Sequence, residues 1–361
     1  MRRHRSADKS AALSRAVRVT FGLAVVALVV AGGPVKADII IDLGRGPVVV
    51  HVPPSYDPTI PTPLVLLLHG YGGSGAWQEA YMQFTPLSDE FGFLYAFPDG
   101  TQDAYGNRFW NATNACCNFY GSDVDDSGYL RDLIEAVKVE ANVDERRVHL
   151  VGHSNGGFMS YRMACDHADT IASVASLAGA TFLDPNDCSP AAPVHVLQIH
   201  GTADMVVRYE GGCFGDECYP GAVETVERWA TYDGCLLDGE AGEPLDLDAG
   251  IPGAETEVIR YVSECDRGGS GELWTIVGGG HIPNLSDDFS PLVIEYLYAH
   301  PKPGPLGDLN GDGCVDQADL GILLTDWGCT SGECPGDADG DGDTDQADLG
   351  ILLAHWGEGC P

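Results

Sequence analysis

Positive charge is what this chain most lacks. Its 361 residues include 19 Lys and Arg against 54 Asp and Glu, a formal net charge of -35. Proteins that bind nucleic acid neutralise phosphates with basic side chains, so the composition argues against that class of partner. Long apolar runs are equally scarce, because the stretch Phe21 to Ala31 is followed by no second one. A spanning helix needs roughly 20 apolar residues, and this run is too short to be a permanent one. Also missing is any pair of C-x-x-C motifs, although the chain has 12 Cys. That leaves out thiolate zinc ribbons and favours disulfides in an exported protein.

The residues around the apolar run assign the compartment. Arg2, Arg3, Arg5, Lys9, Arg15 and Arg18 precede it and Val35-Lys36-Ala37 follows, the layout of a secretory signal peptide cleaved after Ala37. Removing 1–37 takes away seven basic residues and one acid, so 12 bases face 53 acids and the formal charge becomes -41. Such acidity keeps a secreted protein soluble, and where acids cluster it points to bound cations. The mature length suffices for one large domain and one small one.

From Asp38 to about Tyr56 the alternation of Ile39, Ile41, Val48, Val50 and Val52 predicts an antiparallel opening hairpin. Continuous apolar runs then follow at Leu64–Leu68, Phe93–Phe97, Val148–Val151 and Val194–Ile199, with helical patterns between them. Strands buried on both faces and separated by helices imply a mostly parallel sheet in an α/β fold.

The densest signal is RVHLVGHSNGGFMSYRMAC from Arg147 to Cys165. A short strand leads into Gly152-His153-Ser154-Asn155-Gly156 and a helix leads out, which places Ser154 on a sharp strand-to-helix turn, the setting of an activated serine. The strand ending at Leu68 runs into His69-Gly70-Tyr71-Gly72-Gly73-Ser74-Gly75, a loop able to aim backbone N–H groups at a substrate oxygen. The donors expected for an oxyanion hole are the backbone N–H groups of Tyr71 and Asn155. Farther on, His200-Gly201-Thr202-Ala203-Asp204 puts a carboxylate past a strand end, and Leu273–Val277 leads to Gly278-Gly279-Gly280-His281. The chain order Ser154, Asp204, His281 is that of an α/β-hydrolase triad, with His281 as base and Asp204 holding its tautomer. His69, His153 and His200 read as packed or backbone-bonded imidazoles, and no histidine is expected to compete for Asp204.

The series HGYGGSG at 69, FPDG at 97, CC at 116, VDDSGYLRDLI at 124, RVHLVGHSNGG at 147, HGTAD at 200 and GGGH at 278 resembles the secreted esterases that include polyhydroxybutyrate depolymerases and feruloyl esterases. The resemblance covers most of residues 45–300. It implies an α/β-hydrolase fold and maps nucleophile, acid and base to Ser154, Asp204 and His281, with no cofactor for catalysis. Where relatives often carry an aromatic residue and Pro-Gly after the histidine, this chain has Ile282-Pro283-Asn284, a departure that bears on the acyl pocket.

Two supporting features complete this domain. Asp125-Asp126 reads as a cap on a helix running from Tyr129 to Val137. Trp110, Phe119 and Tyr120 in the segment 109–120 either border the cleft or pack on the sheet. Cys213 with Cys218 and Cys235 with Cys265 are the expected pairs, leaving Cys116, Cys117, Cys165 and Cys188 to pair across the cleft region.

After a Pro-rich linker, 301–306, the chain repeats itself at an offset of 29, GDLNGDGCVDQADLGILL from Gly307 and GDADGDGDTDQADLGILL from Gly336. Oxygen ligands recur with EF-hand spacing at Asp308, Asn310, Asp312, Asp316 and Asp319 with the Cys314 carbonyl, and at Asp337, Asp339, Asp341, Asp345 and Asp348 with the Asp343 carbonyl. Gly313 and Gly342 occupy the sharp turn of each loop, and an Asp closes it where EF-hands use Glu. Leu320, Leu323, Leu324 and Trp327 recur as Leu349, Leu352, Leu353 and Trp356, two amphipathic stripes expected to meet. A pair of loop-plus-helix units of this kind resembles a dockerin, which implies two bound calcium ions and a cohesin-like or cell-surface partner.

The expectation is therefore a signal peptide at 1–37, an α/β-hydrolase esterase domain at 38–300, a linker at 301–306 and an all-α calcium-binding module at 307–361. The activity expected is that of a secreted serine esterase on extracellular polymeric esters, feruloyl or acetyl esters of plant-wall polysaccharide first. Polyhydroxyalkanoate is the alternative substrate, and a non-catalytic binding protein on the same fold is the alternative of another class.

Overall fold

The computed structural model describes residues 37–265, 268–330 and 334–360. The signal peptide expected at 1–37 lies outside the described residues except for Ala37. No described helix is long and apolar enough to cross a membrane.

The chain opens with the predicted hairpin, β1 (Ile39–Asp42) and β2 (Pro47–His51), and then enters β3 (Thr62–Leu68). Helices α1 (Gly75–Met82) and α2 (Phe84–Phe91) lead to β4 (Leu94–Ala96) and the short pair β5 (Thr101–Gln102) and β6 (Arg108–Phe109). Next come α3 (Asp126–Glu140), β7 (Val143–His153), α4 (Asn155–Asp166), β8 (Ser173–Leu177) and β9 (His195–Gly201). A small hairpin, β10 (Gly212–Phe214) with β11 (Glu217–Tyr219), precedes α5 (Ala222–Tyr232). The sheet is completed by β12 (Glu240–Ala241), β13 (Thr256–Tyr261) and β14 (Gly271–Ile276), and α6 (Phe289–Ala299) closes the domain.

Ten strands form one sheet in the order β1-β2-β4-β3-β7-β8-β9-β14-β13-β12. The strands from β4 to β14 in that order pair in parallel, and the antiparallel pairs lie at the two edges. The alternation along β3 explains why its run is continuously apolar: Leu64, Leu66 and Leu68 enter the core on one face while Val65 and Leu67 enter the core on the other. Helices α3, α4 and α5 cover the first face, and α2 and α6 cover the second. Strand β8 was not legible from apolar content, because three of the five residues of Ser173-Val174-Ala175-Ser176-Leu177 are small or hydroxylated, yet all five are buried.

Asp125 caps α3 as expected, its side chain accepting from the Gly128 N–H, and the helix is longer than the predicted 129–137. Cys213–Cys218 and Cys235–Cys265 are bonded as expected. The other expectation fails, since Cys116 bonds its neighbour Cys117 and Cys165 bonds Cys188, so neither bridge spans the cleft.

The tail forms α7 (Gln317–Asp326) and α8 (Gln346–Ala354). Leu323, Leu352 and Val315 make its buried core, with Leu309, Leu320 and Leu349 against them. The predicted stripes meet only in part: Leu324, Trp327, Leu353 and Trp356 remain 43–57% exposed. The reason is the tightness of the crossing. A Cβ on Gly307 would stand 2.9 Å from Leu352 Cα and one on Gly336 3.1 Å from Leu323 Cα, so each loop packs on the opposite helix and turns the outer stripe residues away. The Pro-rich linker is itself bonded to the body of the domain. Lys302 N donates to Arg146 O at 2.7 Å, and the Lys302 ammonium meets the carbonyls of Ala168, Ile171 and Pro193.

Candidate active site

Strand β7 delivers Ser154 at its carboxyl end, in the middle of the sheet. The serine has φ 53° and ψ -118°, a conformation non-glycine residues rarely adopt and one that the surroundings must enforce. Its N–H is tied to Leu177 O at 2.8 Å. The flanking glycines are steric necessities. A Cβ on Gly152 would stand 2.1 Å from Gly156 O, and one on Gly156 would stand 2.1 Å from Leu68 O.

The three residues selected from sequence come together. Ser154 Oγ lies 3.0 Å from His281 Nε2, and His281 Nδ1 lies 2.7 Å from Asp204 Oδ2. Asp204 is buried, and its Oδ1 accepts from the N–H groups of Val206 at 2.8 Å and Val207 at 3.0 Å. Burial pushes the Asp204 pKa up, but the His200 and His281 rings beside it and the Val206 N–H outweigh it and hold the carboxyl well below the usual carboxylate range. A carboxylate so placed fixes the proton of a neutral His281 on Nδ1 and leaves Nε2 bare toward the serine.

His200 corrects the expectation that no histidine competes for Asp204. Its Nε2 donates to Val207 O at 2.8 Å and stands 3.4 Å from Asp204 Oδ2, while Gln198 Nε2 donates to its Nδ1 at 3.0 Å. The ring is therefore the neutral Nε2–H tautomer, a fixed dipole beside the carboxylate. His69 and His153 are backbone-bonded as expected: His69 Nδ1 is 2.8 Å from Gly70 O and His153 Nε2 is 3.0 Å from His281 O.

The loop after β3 runs beside the serine, a Cβ on Gly70 standing 3.4 Å from Ser154 Cβ. Gly72 and Gly73 spend their N–H groups on Arg108 O and Gly70 O at 2.8 and 3.0 Å. Among the described residues, neither the Tyr71 nor the Asn155 N–H has a backbone acceptor. The Asn155 side chain is clamped by Trp110, accepting from its N–H at 2.7 Å and donating to its carbonyl at 2.9 Å. Trp110 is thus fully buried behind the site, whereas Phe119 and Tyr120 are about half exposed and Phe119 packs edge-on against Tyr71.

A cleft of about 620 Å³ opens over Ser154 and His281, walled by Tyr71, Trp77, Val206 and Ile282. Trp77 and Tyr81 were not singled out from sequence, although their i, i+4 spacing on α1 was the available signal. The two rings stack at 19° with centroids 5.8 Å apart, and Tyr81 Oη donates to Pro283 O at 2.7 Å. The backbone after the triple glycine is thereby held at two carbonyls, 281 by His153 and 283 by Tyr81.

The tail loops suit an oxygen-liganded dication. Gly313 and Gly342 have φ of 91° and 93°, as the sharp turn demands. Asp319 accepts from the N–H groups of Leu309, Asn310 and Asp316, and Asp348 from those of Ala338, Asp339 and Asp345, which draws each loop into a ring. Oxygens of Asp337, Asp339 and Asp341 lie within 4.8 Å of one another, as do those of Asp343, Asp345 and Asp348. Asp308 Oδ1 and Asp343 Oδ1 are buried without a hydrogen-bond partner, an arrangement compatible with a bound cation. Cys314 is bonded to Cys360, so it offers a loop ligand only through its carbonyl.

The alpha/beta hydrolase family profile matches residues 65–293, and the chain belongs to that family. Feruloyl esterase B of Piromyces equi is 32% identical over 242 residues, 65% of this chain and 42% of that protein, so the chain spans less than half of that relative's length. Feruloyl esterase D of Neurospora crassa is 25% identical over 251 residues, 66% of this chain and 74% of that protein. Among solved structures, the acetyl xylan esterase from Aspergillus awamori shares the fold, with a TM-score of 0.50 at 16% identity over 73% of this chain and 99% of that one.

Proposed function

We propose that the protein is a secreted serine esterase that cleaves feruloyl or acetyl esters from plant-wall polysaccharide. The observation that carries the reading is the unbroken line Ser154 Oγ, His281 Nε2, His281 Nδ1, Asp204 Oδ2, at 3.0 and 2.7 Å, beneath an open cleft. Ser154 Oγ attacks the ester carbonyl as its proton passes to His281 Nε2. The oxyanion is met by the N–H groups of Tyr71 and Asn155. His281 then gives its proton to the departing sugar hydroxyl, leaving an acyl-serine. Water, deprotonated in turn by His281, releases the acid and restores Ser154. Asp204 stays ionised throughout and steadies the imidazolium.

The substrate class is supported by the relatives, two feruloyl esterases and an acetyl xylan esterase in name, and by the cleft. An acetyl group alone does not fill about 620 Å³, while the Trp77 ring and the Ile282 and Val206 side chains suit a planar aromatic acyl group. The test is a panel of methyl ferulate, acetylated xylan and short-chain polyhydroxybutyrate. Hydrolysis of the first two is expected, and turnover of the third alone overturns the substrate reading.

Export through a peptide at 1–37 accords with cysteines paired in six bridges. Residues 38–300 constitute the esterase domain, 301–306 the linker and 307–361 a dockerin-like module holding two calcium ions. Asp308, Asn310, Asp312, Asp316 and Asp319 with the Cys314 carbonyl would hold one, and Asp337, Asp339, Asp341, Asp345 and Asp348 with the Asp343 carbonyl the other. Calcium held there would supply charge that offsets carboxylate repulsion, apart from the residues that cleave the ester. Leu324, Trp327, Leu353 and Trp356, exposed at equivalent positions of the two repeats, supply the apolar face for a cohesin-like or cell-surface partner.

A further inference from the structure

The two tail loops are near copies in sequence but not in surroundings. Arg146, on β7 of the esterase body, reaches into the first. Its Nη1 donates to Asp308 Oδ2 at 3.1 Å and to Gly311 O at 2.7 Å, and its Nε donates to Lys302 O at 3.1 Å. Its Cδ stands 3.1 Å from where a Cβ on Gly313 would be, so the loop glycine also makes room for the arginine. The Asp308 side chain is only 1% exposed. Its Oδ2 is satisfied by Arg146 and by the Gly313 N–H at 2.9 Å, while Oδ1 is buried and unpartnered. Among the described residues, no Lys, Arg or His pairs with an acid between Asp337 and Asp348.

The residues inside the loops differ in the same direction. The second carries six acids, Asp337, Asp339, Asp341, Asp343, Asp345 and Asp348, whereas the first has Asn310 and Cys314 in place of two of them. With Arg146 beside it, the first loop has a formal charge of -3 against -6 for the second.

We propose that Arg146 is the resident counter-ion of the first loop and makes the two loops unequal calcium sites. The second loop fills first. Filling the first sets a dication against the guanidinium across one carboxylate, so calcium there and the Arg146 bond to the tail oppose each other. By linkage, whatever the arginine takes from calcium affinity, calcium takes from the docking of the tail. Affinity in such loops follows ligand charge count, and one unit charge facing a dication in a water-like dielectric changes binding by about tenfold. The inference rests on the calcium reading of the tail.

Calorimetric titration of the chain 38–361 with calcium chloride tests it. Two ions are expected, one bound tightly and one weakly, with Asp339→Asn weakening the tight site. Arg146→Gln should tighten the weak site by about tenfold and leave the tight one within about twofold. Arg146→Lys, which keeps the charge, should stay near wild type, and Asn310→Asp, on the loop itself, should also tighten the weak site. Hydrolysis of a soluble ester at the wild-type rate reports that the Arg146→Gln body is intact. Two ions bound with a weak site that is unchanged or weaker in Arg146→Gln overturn this inference and leave the calcium reading standing. No calcium uptake by the wild-type chain overturns both.

Discussion

Asp204 faces two histidines with one oxygen: its Oδ2 lies 2.7 Å from His281 Nδ1 and 3.4 Å from His200 Nε2. The two contacts differ in kind. His281 gives Asp204 its Nδ1–H along a short line, whereas the His200 proton is already directed at Val207 O at 2.8 Å. Asp204→Asn should therefore favour the wrong His281 tautomer and lower kcat by about 10⁴. His200→Gln, which removes a secondary dipole, should lower it by less than about tenfold. Near-normal turnover by Asp204→Asn, with loss in Asp125→Asn or Asp126→Asn, would show that the acid has been misassigned.

Tyr81 is expected to act through His281. Its hydroxyl holds the Pro283 carbonyl at 2.7 Å, and Gly278, Gly279 and Gly280 leave the loop little stiffness of its own. Loss of one hydrogen bond in Tyr81→Phe should reduce kcat about five- to tenfold with KM little changed. A raised KM at unchanged kcat would assign Tyr81 to substrate binding instead.

Trp77 supplies the exposed ring of the cleft, stacked on Tyr81 and 46% exposed. Stacking of this kind is worth about 1 kcal/mol, so Trp77→Ala should lower kcat/KM for methyl ferulate several-fold more than for an acetyl ester. Equal losses on both would show that the ring does not meet the acyl group.

Much of this site was legible because its chemistry requires rare local patterns. Ser154 needed glycines at 152 and 156, and those contacts, 2.1 Å for an added Cβ, are steric facts a sequence carries openly. Asp204 and His281 followed from strand ends and chain order. What sequence did not display were partners made by the fold alone: the His200 contact with Asp204, and Trp77 and Tyr81, which are 201 or more residues from Ile282 and Pro283. The tail shows the same limit. The repeat was readable from its offset of 29, but the outward turn of Trp327 and Trp356 depends on how Gly307 and Gly336 seat against the opposite helix. Arg146 was unreadable, because it lies 162 residues before Asp308 and only the fold brings the two together.

Buried histidines should make the α/β-hydrolase fold acid-sensitive. Burial lowers His149 to about 3, His195 to about 3 and His153 to about 4, from 6.5. All three are neutral in the fold, so below pH 6.5 the unfolded chain binds more protons and stability falls as pH drops toward those values. Each histidine contributes a slope of about 1.4 kcal/mol per pH unit within its window. The urea midpoint should decline between pH 7 and pH 4.5, and less steeply in His195→Gln. A midpoint that is level over that range would contradict the buried, neutral assignment.

The most direct test of the account is covalent labelling of the wild-type chain and of Ser154→Ala with a fluorophosphonate probe, read by intact mass. The wild-type chain should take up one probe, mapped to the peptide containing Ser154, and lose ester hydrolysis in proportion. Ser154→Ala should take up none while keeping the wild-type circular dichroism spectrum. Labelling of Ser154→Ala at the wild-type rate, or hydrolysis that persists in the fully labelled wild-type chain, would contradict a serine esterase built on Ser154, His281 and Asp204.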